Sequence, residues 1–306
     1  MDCCLEIPGY FTSQRQAEHL RRLRREFPFV YIHELTRTAY GRPIHALQIG
    51  SGDRKLLLTA GHHANETITS EVLWRFLFTY CGALRDGGAV CGADALSLYH
   101  GAMVYLVPLV DPDGADLVAG AIAPGSAEYR AAAQIAAQLP DVPFPSGWKA
   151  NLSGVDLNLN YPARWETARR IKKEQGVCTP APRDFVGFSP LDQPESAALA
   201  AFARCVHPDL MLALHTQGSV IYPGPAESAP AGSAALAAAM SEASGYPVEP
   251  VPEASANAGF KDWFLQCFRR PAFTIEMGIG ENPLPMTQLP ALCRALCAIM
   301  TTALLW

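Results

Sequence analysis

No Cys-x-x-Cys pair, no internal repeat, no low-complexity linker and no block of like charge occurs in the 306-residue chain. The net charge of −5 shows no basic excess, which argues against a nucleic-acid or anionic-membrane surface while leaving room for a local basic pocket. The first residues, MDCCLEIPGYF, lack a basic segment followed by an apolar run, so no secretory signal is expected. The apolar stretch after Arg294, ALCAIMTTALLW, falls short of the ~20 residues that a membrane span needs, and is read as a helix packed on the core. The nine cysteines are odd in number and scattered; Cys3 and Cys4 are adjacent, and Cys293 and Cys297 stand one helical turn apart. They are read as reduced thiols, several of them buried, in a cytoplasmic protein. Against these absences stand 49% hydrophobic and only 17% charged residues, enough for a sizeable core. Length alone suggests roughly two domains, but large α/β enzymes of this size often form one, and residues 1–306 are read as a single domain. Nothing in the composition specifies an oligomeric state.

The chain opens with a surface helix, SQRQAEHLRRLRREF, with Ser13 as the expected N-cap and Leu20, Leu23 and Phe27 at helical spacing. Short apolar runs then end abruptly in polar residues: HALQIG from His45, KLLLTAG from Lys55, AMVYLVPLV from Ala102, DLMLALH from Asp209 and AFTIEMG from Ala272. Such runs resemble strands buried on both faces. Alanine-rich helical segments, from Ser126 and from Glu195, lie between several of them, which predicts a mostly parallel sheet covered by helices.

Three of these runs lead into residues that carry chemistry. KLLLTAG leads into His62 and His63, with Glu66 three positions after the second; DLMLAL ends at His215; AFTI ends at Glu276. Ligand crevices of open α/β sheets lie at the carboxyl ends of the strands, so parallel neighbours would bring His63, Glu66, His215 and Glu276 to one edge. Two imidazoles and one carboxylate match the three-ligand set of a catalytic zinc, with one position left for water. His63 and Glu66 reach one ion from a single turn, His215 supplies the distant ligand, and His62 is out of phase and treated as a neighbour. An HxxE spacing also recurs by chance, and a histidine after a strand is often a hydrogen-bonded structural residue. The two further strand ends favour the metal site.

The set GHHANE, DPDG at Asp111, WKAN at Trp148, GVDLNLN at Gly154, LHTQG at Leu214 and FTIEMG at Phe273 resembles the zinc metallocarboxypeptidases of the M14 type, in order and spacing over nearly the whole chain. The resemblance implies an α/β/α sandwich around a mixed, largely parallel eight-stranded sheet, and one zinc held by His63, Glu66 and His215. It implies Glu276 as the general base and Asp156 as the carboxylate that orients the first zinc histidine. Lys149 stands where the family often has an arginine aimed at the developing oxyanion; the charge is kept and the fork is lost. Leu159 stands where ordinary members have the arginine that clamps the substrate's terminal carboxylate, and leucine cannot make that contact.

These departures, with DLNLNYPARW, LHTQGSVIYPG, GFKDWF and GENPLP, are similar to one bacterial branch, the γ-D-glutamyl–meso-diaminopimelate peptidases acting on murein peptides. The expected substrate is a released, diaminopimelate-containing muropeptide, since no wall-binding repeats are seen. Asn158, Leu159, Gln217, Tyr222 and Lys261 are candidate substrate-side positions. Asp262, Glu281 and Asn282 are further candidates, and Arg164 and Arg183 are weighed as carboxylate anchors against a plain surface role. A zinc-dependent N-acyl-amino-acid deacylase of the succinylglutamate desuccinylase or aspartoacylase type would share HxxE and the distant histidine, but the WKAN…GVDLNLNYPARW segment favours the peptidase. A general metallocarboxypeptidase and a non-catalytic binding protein are the remaining alternatives.

Overall fold

The computed structural model describes residues 9–224, 229–252 and 257–306. Its strands are β1 (Tyr31–Arg37), β2 (Pro43–Gly50), β3 (Arg54–Thr59), β4 (Ala89–Val90), β5 (Ala93–Asp94), β6 (Ala102–Val107), β7 (Leu210–His215), β8 (Val220–Tyr222) and β9 (Ala272–Glu276). The helices are α1 (Ser13–Glu26), α2 (Ile68–Asp86), α3 (Ala95–Gly101), α4 (Pro112–Val118), α5 (Ala127–Ala136), α6 (Trp165–Glu174), α7 (Pro194–Val206), α8 (Ser233–Ser244), α9 (Phe260–Phe268) and α10 (Leu289–Leu305).

Seven strands form one sheet in the order β1-β2-β6-β3-β7-β9-β8, and β4 and β5 form a separate small hairpin. The central strands β6, β3, β7 and β9 are mutually parallel, while β1, β2 and β8 pair antiparallel at the edges. The expected eighth strand is reduced, among the described residues, to a single parallel bridge between Ile221 and Val248 beside β8. The central runs are apolar throughout because both faces are covered. Leu56 and Leu58 of β3, Leu212 and Leu214 of β7, and Phe273 and Ile275 of β9 pack under α1, α2, α8 and α10. Leu57, Met211, Ala213 and Ala272 point the other way, onto α7 and α9. The result is the α/β/α sandwich.

Three expectations need adjustment. Thr12, not Ser13, caps α1, its hydroxyl accepting from the Arg15 N–H at 3.1 Å. The Ser13 hydroxyl is engaged elsewhere, donating to Asp116 at 2.5 Å. The C-terminal helix is longer than the run counted from Arg294: Met286–Leu305 is long and apolar enough to cross a membrane by length and composition alone. Its buried face, including Leu292, Leu296 and Ile299, packs into the sandwich core. Finally, the cysteines are not all thiols. Cys91 of the β4–β5 turn and Cys297 of α10 form a disulfide with Cα atoms 6.3 Å apart. Their 206-residue separation hides the pairing from sequence spacing. Cys81, Cys178, Cys205, Cys267 and Cys293 are free, and Cys3 and Cys4 lie outside the described residues.

Candidate metal centre and cleft

The chain leaves β3 through Ala60 and turns at Gly61, whose φ of +65° favours glycine. A Cβ there would lie 2.8 Å from the Ser70 hydroxyl and 2.9 Å from a Leu109 methyl, so the turn packs tightly on α2. The next residues form a tight loop, closed by the Glu66 N–H donating to the His63 carbonyl at 3.1 Å. Ala64 donates to the Lys149 carbonyl at 3.1 Å, tying this loop to the segment that carries Lys149. His215 ends β7 and is the direct register partner of Glu276, which ends β9. Three adjacent parallel strands thus deliver their carboxyl ends to one edge.

The ligand atoms of His63, Glu66 and His215 all lie within 4.8 Å of one another, and all three residues are buried. His63 Nδ1 is 2.8 Å from Glu66 Oε1, His215 Nδ1 is 3.0 Å from Glu66 Oε2, and the two Nδ1 atoms are 3.2 Å apart. The Thr216 N–H donates to Glu66 Oε2 at 3.2 Å and fixes the carboxylate. Asp156 Oδ1 lies 3.2 Å from His63 Nε2, which sets the tautomer that leaves Nδ1 free to ligate. The same oxygen accepts from the Asn158 N–H at 3.1 Å, so one carboxylate starts the short 3₁₀ turn Leu157–Leu159 and orients the histidine.

The electrostatics show a site that draws positive charge. Burial works against a charged His63, but Glu66 and Asp156 outweigh it and raise the imidazole to about 9. Burial likewise opposes ionisation of Glu66 and Asp156, yet their cationic neighbours, His63 foremost, hold both below the usual carboxylate range. Burial lowers His215. Lys149, 3.4 Å from Glu66, stays above its ordinary value because Glu66, Asp156 and Glu276 outweigh its burial. Glu276 is raised to about 8, by burial first and then by the Glu66 charge, with Lys149 and His63 opposing. Two convergent imidazole nitrogens and a carboxylate, with a carboxylate behind the first imidazole, fit a zinc ion.

A cleft of about 800 Å³ opens over this edge. Lys149, Asn158, Arg183, Gln217, Tyr222, Lys261, Asp262, Glu276, Glu281 and Asn282 line it. Lys261 is buried and held by the Pro223 carbonyl at 3.3 Å and Asp262 at 3.2 Å. Arg183 pairs with Asp184 at 2.9 Å. Asn158 Oδ1 accepts from the Phe260 N–H at 3.1 Å and so anchors the start of α9. One expected substrate-side position, Leu159, is absent from the lining, and so is Arg164, for which the plain surface role holds. Leu159 packs with Trp165, Ala168, Val186 and Ala258, because the 3₁₀ turn sends adjacent side chains different ways. Arg164 is exposed at the N-cap of α6. Conversely, Asn65, Asp141, Ser146, Thr216 and Thr274 line the cleft without having been singled out. Asn65 and Thr216 adjoin ligand positions, a usable signal; Asp141 and Ser146 sit in a loop with no pattern to mark them.

The zinc carboxypeptidase family profile matches residues 17–298. The chain belongs to the zinc carboxypeptidase family. It is a zinc metallopeptidase by that membership, with a His-Glu-His cluster at the edge where the three strands end. It is 37% identical over 285 residues to gamma-D-glutamyl-L-diamino acid endopeptidase 1 of Lysinibacillus sphaericus, covering 93% of this chain and 70% of that one. It is 35% identical over 305 residues to the uncharacterized protein YqgT of Bacillus subtilis, covering 99% of this chain and 79% of that one. The fold is similar to carboxypeptidase A of Helicoverpa armigera, with a TM-score of 0.70, 20% identity, and coverage of 98% and 74% of the two chains.

Proposed function

We propose that this peptidase hydrolyses the γ-D-glutamyl–meso-diaminopimelate amide bond of murein-derived peptides. The observation that carries the reading is the convergence of His63, Glu66 and His215 beside Glu276 and Lys149, in a chain 37% identical to a peptidase named for the γ-D-glutamyl–L-diamino acid bond. One zinc per chain would be held by those three residues. When bound, it supplies Lewis acidity toward a carbonyl and lowers the pKa of water toward ~7. Glu276 takes the proton of the attacking water and delivers it to the leaving amine. Lys149 places its ammonium where the carbonyl oxygen gains charge. Asp156 holds His63 in its ligating tautomer. Lys261 and Asp262 offer a paired cation and anion to the zwitterionic far end of diaminopimelate, with Asn158, Gln217 and Tyr222 along the wall. Leu159 withholds the usual carboxylate clamp.

The whole chain acts, in this reading, as one catalytic domain of a bacterial cytoplasmic enzyme. The Cys91–Cys297 disulfide stands against a reducing compartment, and a free-thiol count on protein trapped at lysis tests the location separately. The main test compares kcat/KM for a defined diaminopimelate muropeptide, its lysine analogue and a blocked ordinary dipeptide, with products identified by mass spectrometry. The expected order is diaminopimelate first, the lysine analogue reduced and the dipeptide poorest. Metal analysis should give about one zinc per chain. A preference for the dipeptide, or for acylated amino acids, would sink the substrate assignment.

A further inference from the structure

The two histidine ligands of the proposed metal site are held in different ways. His63 is locked from behind by Asp156 at its Nε2. His215 has no such lock: its Nε2 is buried and without a hydrogen-bond partner among the described residues. Two rings lie against it: His63 at a centroid distance of 4.8 Å, tilted by 56°, and His62 at 5.5 Å, with the planes only 26° apart. His62 is fully buried. Its far side meets Phe260 at 5.6 Å and Tyr161 at 6.3 Å, and those two rings pack on each other at 5.1 Å and on Trp263. The Tyr161 hydroxyl approaches His62 Nε2 at 3.5 Å, while His62 Nδ1 has no partner among the described residues.

We propose that His62 is a positioning residue for His215: its ring is a planar wedge, backed by Phe260 and Tyr161, that sets the rotation at which His215 Nδ1 faces His63 and Glu66. The reasoning is geometric. His215 Nδ1 meets Glu66 Oε2 at 3.0 Å, but with no partner at Nε2 among the described residues that one contact leaves the soft Cβ–Cγ torsion room to turn, and packing limits the turn. Offset or tilted ring contact supplies the stop, with the preferred centroid separations of ~4.5–7 Å met throughout the chain of rings. The backing is also the start of α9, whose next two residues, Lys261 and Asp262, line the cleft. The wedge therefore joins the metal edge to the substrate wall through contiguous packed rings. His62 touches neither metal nor substrate in this assignment, and acts through His215.

The proposal rests on His63, Glu66 and His215 holding zinc, and the test separates the two ideas. Zinc affinity is measured by chelator competition on purified, folded protein, and cobalt-substituted protein reports ligand geometry by its visible absorption. His215→Ala is the control: if it binds zinc like wild type, the ligand set is wrong and the wedge falls with it. With that control behaving, His62→Leu, similar in volume but without a flat face, is expected to bind zinc about 10–100-fold more weakly and to shift the cobalt spectrum. His62→Phe, which keeps the flat face, is expected to retain most of the affinity and the wild-type spectrum. His62→Met replaces the leucine variant should that one fail to fold, and His62→Asn replaces the phenylalanine variant. Wild-type affinity and spectrum in the folded non-planar variant would overturn the wedge. So would equal losses in the planar and non-planar variants.

Discussion

Glu276 and Lys149 share one field. Burial and Glu66 push the Glu276 carboxyl up, and the Lys149 ammonium pulls it down. Glu276→Gln should keep zinc and fold yet lose turnover by ~10²–10⁴, the usual contribution of a general base. A variant retaining more than about a tenth of wild-type turnover would remove Glu276 from that role. Lys149→Met should lose ~10²–10³ in kcat as an oxyanion donor. It has a second, independent signature. The base must be ionised to accept a proton, so kcat/KM rises with pH through the Glu276 pKa. Without the neighbouring ammonium that pKa climbs, and the acidic limb of the pH–kcat/KM profile should move to higher pH. A limb that stays in place, or moves down, would mean that Lys149 does not face Glu276 in the working enzyme. Lysine here preserves charge without the planar fork, so its contribution is electrostatic and not bidentate.

Strand ends were the most legible elements. KLLLTAG, DLMLAL and AFTI are apolar because both faces of the central sheet are covered, and each stops where the chain meets the cleft. That stop, read with the histidines and glutamates beyond it, is what marks His63, Glu66, His215 and Glu276 as candidates in the sequence, and the structure brings the first three within 4.8 Å of one another. The 3₁₀ turn Leu157–Leu159 was not legible in the same way. Its sequence suggested a cleft position for Leu159, but a side chain's direction in a tight turn depends on backbone rotation, which residue spacing does not encode. The loop bearing Asp141 and Ser146, and the pairing of Cys91 with Cys297, are tertiary coincidences of distant segments. Gly61 shows how an element end can be tested. At its positive φ an added methyl group would sit 2.8 Å from the Ser70 hydroxyl and 2.9 Å from a Leu109 methyl and must push those side chains aside, whereas Gly41, at φ +85°, has open space around it. Both alanine variants carry backbone strain of about 1–2 kcal/mol. Only Gly61→Ala should also weaken zinc binding, because the turn that moves is the one carrying His63. Equal zinc affinities in the two variants would detach that turn from the metal edge.

At the scale of the molecule, the edge where β3, β7 and β9 end gathers Glu66, Asp156 and Glu276 in one buried region, with ligands 149 residues apart in sequence. Such a concentration of carboxylates asks for a cation. In the metal-free protein the answer is a proton. His63 is raised to about 9 from an ordinary 6.5, and Glu276 to about 8 from an ordinary 4.5. Both groups bind protons more tightly folded than unfolded, so both stabilise the metal-free fold at low pH. The Glu276 contribution is full below about 4.5 and lost as pH rises through about 8; that of His63 is full below about 6.5 and lost as pH rises through about 9. Zinc needs His63 neutral and supplies the positive charge itself, so binding expels protons. A ligand that binds only the native state stabilises it by about 2.7 kcal/mol at one hundred times its Kd. The melting temperature of zinc-loaded protein should therefore exceed that of stripped protein. At fixed free zinc the gap should widen steadily between pH 6.5 and 9, as the stripped protein loses its protons. Scanning calorimetry of both forms over that range, with buffered free zinc, decides the matter. A gap that is constant or narrows with rising pH would show that the charge drawn to this edge is not exchanged between proton and metal.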